Sequence, residues 1–152
     1  MDPNTLEVPT YDRDIGVLEE LEHEDCVRLL ASRSIGRLAV AVDERGPLVV
    51  PVNYVLDGEI VVFRSGPGSK LHASRHTPVS FEVDDIDPFH RTGWSVLVRG
   101  VAYEVTEREA EHLAIEPWAP GDKHHWIRVL PTEITGRTIR LPEGTWETRG
   151  YL

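Results

Sequence analysis

IGRLAVAVDERGPLVVPVNYVLDGEIVVFR, residues 35–64, decides how this chain folds. Ile35–Val42 is a run of apolar and β-branched residues that reads as a strand. Asp43-Glu44-Arg45-Gly46 then has the chemistry of a hairpin connection. A second strand follows over Pro47–Leu56, Asp57-Gly58 is a two-residue turn signal, and Glu59–Arg64 supplies a third strand. Three strands joined by such short turns make an antiparallel meander.

Working outward, Ser65–Lys70 interrupts the strand pattern, and Leu71–Arg75 is predicted as a short helix ending before Pro78. Strands are predicted at Val79–Val83 and Ser95–Val105, the second punctuated by Gly100, with Asp84, Asp85, Asp87 and Pro88 read as a turn. Thr106 and Glu109 form a capping-box pattern at the head of a helix over Glu107–Ala114. After a Pro-rich crossing at 117–120 comes a closing strand, Trp126–Leu130, broken by Pro131 and resumed over Glu133–Leu141. Toward the N-terminus, Cys26, Val27, Leu29 and Leu30 form the apolar stripe of a short helix over Glu22–Ser32. The chain divides into an acidic arm (1–17), one domain (18–142) and a tail (143–152). The fold class is mainly β, an antiparallel β-barrel with peripheral helices.

Of the 26 acidic residues, nine fall in residues 1–25, where Arg13 is the single Lys or Arg. The rest of the chain is nearly balanced, which argues against a nucleic-acid surface, since that requires clustered cations. No apolar run has the length of a membrane span and no basic-then-apolar leader is present, so the expected location is the cytoplasm. Cys26 is the sole cysteine. His72 and His76, and the pair His124-His125, lack a third ligand at zinc spacing, so no metal is expected.

Phe63-Arg64-Ser65-Gly66-Pro67-Gly68-Ser69-Lys70-Leu71 combines two cations, two hydroxyls and two glycines at a strand-to-helix junction. Glycines allow close backbone approach, and the Arg64 and Lys70 charges with the Ser65 and Ser69 donors suit a phosphate monoester. The spacing excludes a P-loop, and no G-x-G-x-x-G opens a βαβ unit. Taken alone, the stretch also fits a Gly/Pro/Ser turn flanked by surface cations.

Read in order with Ile35-Gly36-Arg37-Leu38-Ala39, Val50-Pro51-Val52-Asn53-Tyr54 and Gly93-Trp94-Ser95-Val96-Leu97-Val98-Arg99-Gly100, the loop resembles the FMN-binding split barrel of pyridoxamine 5′-phosphate oxidase-like proteins, in its short bacterial branch, over roughly 18–142. The resemblance implies FMN held at the interface of a homodimer. It places the phosphate on Arg64, Ser65, Ser69 and Lys70, and the ring along Pro51, Val52 and Asn53. Ser95, beside Trp94, would face the ring, and Trp126, with Arg128, would reach the cofactor from the partner subunit. The family's basic C-terminal substrate motif is missing; only Arg149 stands near the end. The implied activity is therefore FMN-dependent reduction of a small planar acceptor in preference to oxidation of pyridoxamine 5′-phosphate. The same pocket would also suit a relative binding the deazaflavin F420 or haem, or a flavin carrier or sensor without turnover.

Overall fold

The computed structural model describes residues 16–66 and 76–142. In chain order the elements are β1 (Val17–Glu20), α1 (His23–Ala31), β2 (Ile35–Ala41), β3 (Pro47–Asp57), β4 (Ile60–Ser65), β5 (Thr77–Asp87), β6 (Thr92–Val105), α2 (Glu107–Ala110) and β7 (His125–Arg140). All strand pairs are antiparallel, in the order β1-β7-β4-β3-β2-β5-β6. The additional β7–β6 pairing closes six strands into a barrel, with β1 attached to the rim of β7. Closure removes the free edges of an open sheet. The predicted meander is β2–β3–β4, and Gly46 (φ 110°) and Gly58 (φ 63°) take the left-handed backbone its turns require.

Alternation sorts side chains into two faces. Leu38, Val61, Phe63, Phe81, Val96 and Val98 point inward, all 0 or 1 % exposed, and α1 closes one end of this core with Cys26 and Leu30. A second, smaller apolar cluster lies against the barrel, where Ala110 of α2 and Ile115 cover Val62 and Trp126. Among the described residues no helix is long and apolar enough to cross a membrane.

Four expectations need correction. Asp84 and Asp85 lie within β5 and only Asp87 ends it; the turn is Pro88–Arg91. Two cations offset these acids within the sheet, Arg37 of β2 bonding Asp84 at 3.2 Å and Arg33, just before β2, bonding Asp85. The closing strand runs unbroken through Pro131, because Pro131 sits opposite Gly100 at a register shift where Thr132 of β7 is the extra residue. A bulge there leaves no ladder bond for the missing N–H to make. The helix after Thr106 is one turn, capped as expected by Glu109 N–H donating to Thr106 Oγ1 at 3.3 Å and Thr106 N–H to Glu109 Oε2 at 2.8 Å. It stops at Ala110 because the chain turns there to bury Ile115. Finally, β1 is a strand where the residues show no strand periodicity. The expected helix over Leu71–Arg75 lies outside the described residues.

Candidate functional site

The exit of β4 is where the cations gather. Arg64 faces outward, and its guanidinium carbon stands 4.9 Å from the ring centre of Trp126, its cross-strand partner on β7. Its Nε–H donates to the Lys123 carbonyl at 2.8 Å and an Nη1–H donates to the Ile115 carbonyl at 3.2 Å. One guanidinium thus staples both ends of the loop joining α2 to β7. Asn53 of β3 fixes the middle of that loop, its Oδ1 accepting from the Trp118 backbone N–H at 2.9 Å.

Gly66 follows Ser65 out of the strand. A Cβ added at Gly66 would come within 3.1 Å of the Asp122 carbonyl oxygen and 3.4 Å of the Lys123 ammonium. Glycine therefore lets the backbone and the Lys123 charge approach each other closely. Lys123 has no ion pair among the described residues. Ser65 is only 8 % exposed, and its hydroxyl reaches the Gly66 carbonyl at 3.5 Å, the limit of hydrogen bonding. Two positive side chains and a glycine backbone meet here, a donor set that suits an anionic oxygen ester, while the buried Ser65 hydroxyl lies on the opposite face of β4 from Arg64. The cradle at Gly66 and the unpaired ammonium fit a phosphate-bearing cofactor on this structure's own geometry.

The predicted residues fall into two groups. Asn53, Arg64 and Trp126 come together at the β3–β4–β7 corner, Ser65 follows Arg64 there with its side chain on the inner face, and Pro51 lies exposed on the adjoining stretch of β3. Val52 points the other way, packed against the main core. Trp126 is buried, its ring covered by Arg64. Arg128, the next outward residue of β7, bonds Asp57 at 2.9 Å while its buried Nε lacks a partner. Trp94 and Ser95 stand at the other end of β7, paired with Thr138 and Arg137. Trp94 packs against the main core with Arg33 over its ring at 5.4 Å. Ser95 opens outward where two surface clefts of about 530 and 520 Å³ meet, both also lined by Arg137. These volumes are in the range of small-molecule sites. Ser69 and Lys70 lie outside the described residues.

Trp118 and Lys123 escaped the sequence reading because they lie in a stretch without strand or helix period. Only the contacts from Arg64 and Asn53, 51 to 65 residues away, reveal where that stretch folds.

A closed antiparallel barrel of six strands, with an anion-suited corner where a strand leaves it, defines the split-barrel class. The chain belongs to the pyridoxamine 5′-phosphate oxidase family, whose model matches residues 22–138. An FAD-binding protein from Mycobacterium smegmatis is 40 % identical, covers 80 % of this chain and 100 % of its own, and superposes with a TM-score of 0.68. An FAD-binding protein from Mesorhizobium loti is 26 % identical over 82 % of this chain and 98 % of its own, with a TM-score of 0.65. The Mycobacterium tuberculosis protein Rv0080, itself uncharacterized, is 33 % identical over 129 residues, 79 % of this chain and 84 % of its own length.

Proposed function

We propose that this protein binds a flavin nucleotide whose ribityl phosphate sits at the exit of β4. The observation that carries this reading is the Arg64–Ser65–Gly66 corner with the Lys123 ammonium beside it. The 40 % identity to an FAD-binding protein over that protein's whole length supports it. The same corner would hold the FMN half of either FMN or FAD, and Ser69 and Lys70 follow it closely enough in sequence to add donors. Pro51 and Asn53 offer the outer face of β3 to the ring. Pro51 withholds an N–H that would otherwise need a partner, and Asn53 keeps its amide N–H₂ for ring oxygens while its Oδ1 holds Trp118.

The residues assigned to the cofactor lie at two separated places on one chain, twelve residues apart along β7 as measured by the partners of Arg64 and Trp94. A two-fold dimer that sets the Ser95–Arg137 clefts of one copy against the β3–β4 corner of the other would complete two equivalent sites. When bound, the flavin supplies hydride and electron transfer. The protein's own part is to fix the phosphate, present one face of the ring and exclude water. The reading extends to a small planar electron acceptor, which needs only the ring face and the apolar walls beside it, in preference to pyridoxamine 5′-phosphate.

The test is to release and identify the cofactor of the purified protein, and to follow reoxidation of the reduced flavin by a quinone or nitroaromatic beside formation of pyridoxal 5′-phosphate. Flavin with acceptor-dependent reoxidation is expected. A deazaflavin or haem spectrum would overturn the cofactor. Pyridoxal phosphate formation alone would overturn the substrate class, and flavin without turnover would leave a carrier or sensor. Light scattering that finds a flavin-loaded monomer would overturn the shared site.

A further inference from the structure

The loop between α2 and β7 is held more firmly than a connection requires. Its ends are tied to one guanidinium through the Ile115 and Lys123 carbonyls, and its middle is tied to Asn53. Ile115 is buried in the second apolar cluster, and Gly121 turns the chain with a φ of 110°. Pro117 and Pro120 remove further freedom. Yet the largest side chain on the loop gains nothing from this order, since Trp118 is 72 % exposed. The loop also carries Lys123, whose ammonium stands against the Gly66 backbone.

A rigid backbone that holds an indole in water, with an unpaired ammonium a few residues on, is arranged for contact with something outside the chain. The residue that pins Trp118 is Asn53, on the strand face offered to the flavin ring, and the residue that anchors Lys123 is Arg64, at the phosphate corner. One group is therefore tied to the ring side of the proposed site and the other to its phosphate side. We propose that the 115–124 loop forms a second wall of the cofactor site, with Lys123 meeting the flavin phosphate and Trp118 lying against the ring system. This rests on the flavin reading and adds two residues to it. Preorganisation is the physical benefit, because the ordering entropy of the loop is spent in folding and not on binding.

The two roles separate by ligand. Full-length protein freed of cofactor is titrated with riboflavin, FMN and FAD, as wild type and as Lys123→Gln, Trp118→Ala and Trp118→Phe, with melting temperatures taken alongside. Lys123→Gln should weaken FMN and FAD about tenfold and leave riboflavin unchanged, as loss of a charge-assisted contact predicts. Trp118→Ala should weaken all three ligands by a common factor, Trp118→Phe should restore most of it, and the cofactor-free melting temperatures should not move. Equal losses for riboflavin and FMN in Lys123→Gln would refute the phosphate role. Unchanged affinity in Trp118→Ala, or a fall in melting temperature matching its affinity loss, would refute the ring role. If wild type binds none of the three ligands, the flavin reading falls first and takes this proposal with it. If wild type binds and every variant matches it, this proposal alone falls.

Discussion

Replacing Arg64 by lysine keeps the charge at the β4 exit and removes the shape. Arg64 spends Nε–H and Nη1–H on two carbonyls eight residues apart, and stands over the Trp126 ring. A lysine ammonium reaches at most one of these carbonyls and cannot lie flat on an indole. Hydrogen bonds from charged donors contribute roughly 1.5–3 kcal/mol each, and a partly exposed cation–π contact about 0.5–1 kcal/mol. Losing one bond and part of the stacking should cost about 2 kcal/mol in all. At this chain length such a loss lowers the melting temperature by roughly 4–8 °C. Arg64→Lys should also expose the 115–124 loop to limited proteolysis while the barrel stays intact, and should retain a measurable preference for FMN over riboflavin because the charge remains. Calorimetry and a timed digest read both effects. An unchanged melting temperature with an unchanged cleavage pattern would refute the staple.

Three further outcomes are expected. Gly36→Ala should destabilise by about 2–3 kcal/mol in denaturant titration, since its Cβ would stand 2.1 Å from Phe81 Cζ and that ring is wedged edge-on against Tyr54 at 4.8 Å; a loss under about 0.5 kcal/mol would mean the core yields freely. The buried Tyr54 hydroxyl donates to the Leu30 carbonyl, and burial pushes its pKa from 10.0 up to about 12. The folded protein thus keeps a proton the unfolded chain releases, so stability present in full below pH 10.0 should fall by about 2–3 kcal/mol between there and pH 12, and Tyr54→Phe should flatten that limb. At the acid end, a hydrogen bond from Arg140 holds Glu19 below its usual 4.5, and the backbone N–H of Thr106 does the same for Glu109. Their contributions are present above 4.5 and should drain as pH falls through the lowered values, a decline that Glu19→Gln with Glu109→Gln should reduce.

The meander was legible because each turn announces itself locally: Gly46 and Gly58 sit where only a left-handed backbone closes the hairpin. The opening helix was legible for the same reason, with Cys26 and Leu30 one turn apart on its buried face. What the sequence withheld depends on distant partners. Val17–Glu20 has no strand signal because three of its four residues are exposed; β7 imposes its conformation. Asp84 and Asp85 look like turn residues until Arg37 and Arg33 stand beside them. Arg64 and Ser65, to which the proposal assigns the phosphate, stood out through composition alone. Trp118 and Lys123 were not, since a loop without period gives no clue to which strand it will cross. Nor does any local feature reveal that Arg64 serves as a brace for that loop as well as a charge.

The barrel is completed by its last strand. β7 pairs with β6 along its length, with β4 through His125–Val129 and with β1 through Arg137–Arg140, so it binds the first strand, a middle one and its own predecessor. During synthesis, β2 to β6 can pair as they emerge, yet β4 and β6 keep open edges until residue 140 has left the ribosome. Nascent chains therefore pass through a state with two unpaired, Val-rich rims, a state prone to pairing with a neighbouring chain. A stall or premature stop before residue 125 would leave that state permanent. Slow translation across the 106–124 stretch, or a chaperone that shields the β4 and β6 rims, would be expected to govern how much of the protein accumulates in the cell.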